Sequence, residues 1–196
     1  MKIVLYSLLT LVPYLPCASS LTSPITVGND RPEGIHFLKD DEPAVFGLPT
    51  DAGQVYALTS EIYYGGINAI NVVDGTVTEI LPSPGFGVRS TVGILYDDGV
   101  LYAAGGGPLV SVEAAFRAFE ASTGTLLAEC LIPGNSSSFI NDVAVMDGLA
   151  YITDSFRSEL LVYDTADLKN GVCNPTTIVL ESPFPPTTSA ITANGE

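Results

Sequence analysis

Two kinds of glycine-centred turn recur 49 residues apart along this 196-residue chain, and that interval constrains the fold more than any other feature. Aligning Gly99 with Gly148 lays VGILYDDGVLYAAGG (92–106) over NDVAVMDGLAYITDS (141–155). Each segment is an alternating apolar strand, an Asp-Gly turn and a second alternating strand, the pattern of a tight β-hairpin. At the same offset INVVDGTVTEIL (70–81), turning at Gly75, matches FEASTGTLLAECL (119–131), turning at Gly124. Two different hairpins sharing one interval mark a structural unit that is built more than once.

The unit holds four strands in about fifty residues, the size of a propeller blade. The expected fold class is therefore all-β, a β-propeller of four-stranded blades. The blades are expected at 31–83, 91–133 and 140–182, with the first strand of a fourth starting at 189. Residues 40–53 read as a Pro/Asp-rich insertion in the first blade. Val112 to Ser122 could pass for a short helix, but Thr123-Gly124 and the repeat register favour a strand. Three blades and a stub do not close a ring. The reading is of an N-terminal part of a larger propeller, with association through open apolar faces as the alternative.

Residues 1–20 have the form of a secretory signal. Lys2 is followed by an apolar run from Ile3 to Val12, then Pro13, Pro16 and the small residues Ala18, Ser19 and Ser20. The run is too short to span a bilayer, and no other segment is apolar enough to do so. The mature domain is then 21–196, secreted and extracellular. Removing the signal removes Cys17 and leaves Cys130 and Cys173. In an oxidising compartment that pair is a candidate disulfide, with two free thiols as the alternative. Asn135-Ser136-Ser137 is a glycosylation sequon in a Gly/Ser loop. With 22 acidic and 7 basic side chains the formal charge is −15, a field that repels phosphate backbones and argues against nucleic-acid partners.

In a propeller the first strand of each blade lines a central channel, and its opening residues converge from distant parts of the sequence. Three such openings carry oxygen donors: Glu33, the pair Asn141-Asp142, and Asn194. The second blade offers Thr91-Val92 instead. Carboxylate and amide oxygens without His or Cys suit a hard cation such as calcium. The competing reading is that Asn and Asp simply cap strand openings through nearby backbone. His36, two residues from Gly34, is expected to be structural. No GxSxG elbow or phosphate loop is present, and Gly105-Gly106-Gly107-Pro108 reads as a turn.

PEGI with Glu33, FINDVAV with Asn141-Asp142, YITDSF, and the closing TANG with Asn194 together resemble the six-bladed senescence marker protein/gluconolactonase/regucalcin-like group. There is a more distant likeness to paraoxonase-type lactonases. The resemblance runs from about residue 31 onward. It implies a divalent cation, usually calcium, held by Glu33, Asn141, Asp142 and Asn194, with Asn141 also contacting substrate. It further implies metal-assisted hydrolysis of a lactone or ester, the ligand being a small lactone or sugar-derived molecule. The chain departs from the group in two ways. The family's further aspartate, proposed as the base, belongs to a later blade, leaving the catalytic residue unassigned with Asp142 as a candidate. The Pro and Trp that often follow the first-blade glutamate are replaced, and the chain has no Trp. A non-catalytic secreted propeller that binds a small ligand or a protein is the alternative function.

Overall fold

The computed structural model of the protein describes residues 32–107, 112–132 and 138–180. Within them twelve strands form three four-stranded antiparallel sheets, each a meander in sequence order. The first sheet contains β1 (Pro32–Phe37), β2 (Tyr56–Glu61), β3 (Ile67–Asn71) and β4 (Val77–Leu81). The second contains β5 (Gly93–Asp97), β6 (Val100–Gly107), β7 (Val112–Glu120) and β8 (Leu126–Leu131). The third contains β9 (Ile140–Met146), β10 (Leu149–Asp154), β11 (Glu159–Asp164) and β12 (Thr176–Val179).

Local turn chemistry accounts for the repeat. Asp98-Gly99 and Asp147-Gly148 are two-residue hairpin loops, with φ of 44° and 52° at the aspartates and 78° and 75° at the glycines. Positive φ at both central residues is what a hairpin compatible with right-handed strand twist requires. In the other hairpin type Gly75 and Gly124 close the loop in the same way. Each donates its N–H to the last residue of the preceding strand, Asn71 or Glu120, at 2.8 Å.

The sheets pack face to face. Leu58, Ile67 and Ala69 of the first sheet meet Ile94, Leu101 and Phe119 of the second. On the other face of the second sheet Tyr102, Phe116 and Ala118 meet Ile152, Leu161 and Tyr163 of the third. Phe116 stacks on Tyr102 with centroids 5.9 Å apart and lies 5.2 Å from Tyr163, joining two sheets through one aromatic row. A strand flanked by sheets on both faces must be apolar throughout, and β6 is buried along its whole length. Cys130 of β8 and Cys173, just before β12, form a disulfide that ties the outer edge of the second sheet to the third.

Val112–Glu120 is a strand, as the repeat register requires. The insertion at 40–53 holds a 3-10 turn over Glu42–Phe46. A five-residue helix, α1 (Thr165–Lys169), follows β11, capped by Asp164, whose carboxylate accepts from the N–H groups of Ala166 and Asp167. One expectation is corrected. Gly105–Gly107 are not a turn but the end of strand β6. A side chain at Gly105 would strike the backbone of Ser90, and one at Gly107 the backbone of Ser138, so glycine there serves close packing. The signal segment 1–20, the sequon at Asn135, and the strand expected at 189 with Asn194 all lie outside the described residues.

Candidate functional site

The first strands β1, β5 and β9 lie side by side in that order and all begin at the same end of the molecule. Their contact is close enough to dictate sequence. A Cβ on Gly34 would fall on the carbonyl oxygen of Val92, and one on Gly93 would lie 2.5 Å from Cα of Asp142. Glycine at both positions lets neighbouring strand openings touch through their backbones.

Both candidate residue groups sit in a β-bulge, and the two bulges match. In the first sheet Pro32 pairs with Glu61 and Ile35 with Thr59, so Glu33-Gly34 together face Ser60. In the third, Ile140 pairs with Asp154 and Val143 with Ile152, so Asn141-Asp142 together face Thr153. The hydroxyl opposite stitches each bulge: Gly34 N–H donates to Ser60 Oγ at 2.8 Å, and Asp142 N–H to Thr153 Oγ1 at 3.1 Å. Glu33 and Asn141 therefore occupy equivalent places, as do Gly34 and Asp142. The second sheet is regular here, with Gly93 opposite Ala104. Bulges interrupt a ladder and re-aim side chains, which is how strand ends commonly present functional groups.

A shell of buried polar residues supports these openings. Ser60 Oγ donates to Val92 O at 2.7 Å, linking the first sheet to the segment that leads into the second. Glu61 and Asp154, the closing residues of β2 and β10, are both buried. Asp154 Oδ1 accepts from Phe139 N and Phe156 N, each at 3.0 Å, while its Oδ2 lies 3.8 Å from Arg157 Nε. Arg157 in turn donates to Ser138 Oγ and pairs with Glu159. Ser155 N–H donates to Phe139 O, and Ser155 Oγ accepts from the Asn141 amide at 3.1 Å. Asn141 is thus held by the residue that follows the buried Asp154.

Asn141 and Asp142 are half-buried, whereas Glu33 is exposed. Burial pushes the Asp142 carboxyl above its ordinary range, opposed only by the Val143 N–H donated to it at 2.9 Å. The donors at the two bulges are all oxygens, a set that fits a hard cation rather than a soft one. Among the described residues no three His, Cys, Asp or Glu side chains cluster together. His36 pairs with Leu58, which belongs to the core between the first and second sheets. It lies beyond the bulge, opposite that core residue.

The supporting shell was missed by sequence reasoning, although a signal for it exists. Both YALTSE (56–61) and LAYITD (149–154) are strands that open on apolar residues and end in a hydroxyl followed by a carboxylate. Such a pair at a strand end that should be buried demands partners.

No protein-family model and no curated protein matches the chain. Among solved structures it is similar to the computationally designed Ika4 protein, at TM-score 0.47 and 10% identity over 78% of this chain and 76% of that one. The computationally designed Ika8 protein gives 0.46 and 11%, over 78% of this chain and 38% of that one. Glutaminyl cyclase of Myxococcus xanthus gives 0.38 and 18%, over 64% of this chain and 49% of that one. None of these likenesses assigns an activity.

Proposed function

We propose that the protein is a secreted, propeller-type member of the senescence marker protein/gluconolactonase/regucalcin-like group, with a divalent cation, calcium by preference, at the openings of its first strands. The paired bulges carry this reading. They put Glu33 and Asn141 in equivalent places at one end of the first and third sheets, on either side of the second, as blades around a common axis would. Glu33, Asn141 and Asp142 would hold the cation, with Asn194 as a further ligand. Bound there, the cation would polarise a lactone carbonyl. The chain's own residues would do the rest. Asn141, oriented by Ser155, would position the substrate. Asp142 is the candidate to accept a proton from water. The disulfide is compatible with the oxidising compartment that the signal-like N-terminus implies.

The experiment is calorimetric titration of calcium into the protein and its Glu33→Ala and Asn141→Ala variants, alongside turnover of small lactones. Calcium binding that both variants weaken at least about tenfold, about 1.4 kcal/mol, supports the cation site. Turnover that chelator abolishes supports hydrolysis. The exposed Glu33 favours a second reading, a propeller that binds a small ligand without catalysis; calcium binding with no turnover of any lactone would select it. Wild-type affinity in both variants removes the site.

A further inference from the structure

The most exposed aromatic side chain among the described residues lies outside the sheets and outside the two bulges. Phe86 is 69% exposed and Val88 63%. They lie in the connection from β4 to β5, at the end of the molecule that carries the two bulges. A free loop would let such a ring swing, but this one is fixed. Tyr63 stacks on Phe86 with centroids 5.9 Å apart and planes at 26°, and Tyr64 meets it nearly edge-on at 5.5 Å. Below the rings Gly87 N–H donates to Tyr63 O at 2.9 Å, Ser83 Oγ to Tyr64 O at 2.9 Å, and Thr91 Oγ1 to Gly65 O at 3.2 Å. Tyr63 also rests on a buried apolar cluster of Ile62, Val92, Val112 and Phe139, which lie in or beside strands of all three sheets.

We infer that Phe86, with Tyr63 and Tyr64, forms a stacking platform for the pyranose ring of a neutral glycan. A preordered ring open to water on one side loses little entropy when a flat partner settles on it. The partner must have an apolar face and a polar rim, and a pyranose has both. Its axial C–H bonds form the face, and its hydroxyls reach outward into water. The net charge of −15 disfavours sulfated or phosphorylated glycans. An open platform, unlike a closed pocket, suits a unit within a longer chain. The inference goes beyond the proposed cation site and needs neither the cation nor hydrolysis.

Affinity electrophoresis of the full chain, with chelator present, in gels containing laminarin, hydroxyethyl cellulose, glycol chitin, xylan or mannan tests it. The wild type should be retarded by at least one of these. Phe86→Ala should bind about fivefold more weakly, the loss of one ring stack. Phe37→Ala, which removes a different exposed ring, should match the wild type. Because the chain has no tryptophan, Phe86→Trp provides a single fluorophore at the platform. Its emission should shift saturably with oligosaccharides of the retarding glycan. No retardation in any gel, or equal retardation of wild type and Phe86→Ala, overturns the inference. So does an emission shift seen with phosphatidylcholine vesicles but with no sugar, which would make the loop a lipid-inserting tip.

Discussion

Gly93→Ala tests the seam between neighbouring sheets more sharply than any core truncation. Its φ is not in the left-handed region, so alanine is not disfavoured by backbone conformation. The cost comes from space alone. The new methyl would lie 2.5 Å from Asp142 Cα and 3.0 Å from Asp142 Oδ1. Carbon atoms normally rest about 3.5–4.0 Å apart, so β9 would have to retreat by about 1 Å. Backbone cannot swing aside as a flexible side chain can. The penalty should therefore reach the top of the overpacking range, about 3 kcal/mol. For a chain of this size that lowers Tm by about 6–12 °C. Thermal and urea unfolding followed by far-UV circular dichroism would measure it. Gly47→Ala is the control, because its φ is 67° and nothing lies within 4 Å of the added methyl. It should lose only the left-handed conformational cost, about 1–2 kcal/mol. A Gly93→Ala protein within about 0.5 kcal/mol of the parent, the usual scatter of neutral surface changes, would refute the close approach of β5 to β9.

Other consequences follow from single groups. Replacing both Cys130 and Cys173 with Ser, 43 residues apart, should cost about 3–4 kcal/mol in urea denaturation, and reductant should affect the parent equally. The Tyr163 hydroxyl is buried with no hydrogen-bond partner among the described residues, and burial pushes its pKa up to about 12. Tyr163→Phe should therefore be neutral or stabilise by up to about 1 kcal/mol, and a loss above that would show a hidden partner. Burial lowers the His36 pKa, with Glu42 and Asp97 opposing and Lys39 reinforcing. The unfolded chain thus binds the proton more readily, and stability falls as pH drops through 6.5 towards the lower folded value. Comparing His36→Gln with the parent from pH 8 to pH 5 should show a shallower decline in the variant. An identical slope would contradict the assignment.

Much of this architecture is legible in the sequence, because it is encoded by turns. Asp98-Gly99 and Asp147-Gly148 announce two-residue loops through chemistry that few other residues supply, and the strands around them fall within a residue or two of expectation. The bulges are not legible. Whether Glu33-Gly34 and Asn141-Asp142 pair singly or doubly depends on hydroxyls at Ser60 and Thr153, 26 and 11 residues from the bulge N–H groups they accept. The glycines at 34 and 93 look like ordinary strand breakers until the backbone of the adjacent sheet is seen above them. Gly107 misled for the same reason, its neighbour being Ser138 ahead of β9, whereas Gly105 meets Ser90 ahead of β5 in its own sheet. Periodicity reports one strand's two faces, whereas Gly34, Gly93 and Gly107 answer to a third neighbour in the adjacent sheet.

Manganese as a paramagnetic substitute for calcium tests the proposed cation site directly. Recorded on isotopically labelled protein, amide resonances of Gly34, Gly93 and Val143 should broaden together at substoichiometric manganese. Those of Gly99 and Gly148, at the opposite strand ends, should stay sharp. Broadening centred on Gly99 and Gly148, or no selective broadening at all, would contradict the shared site at the strand openings.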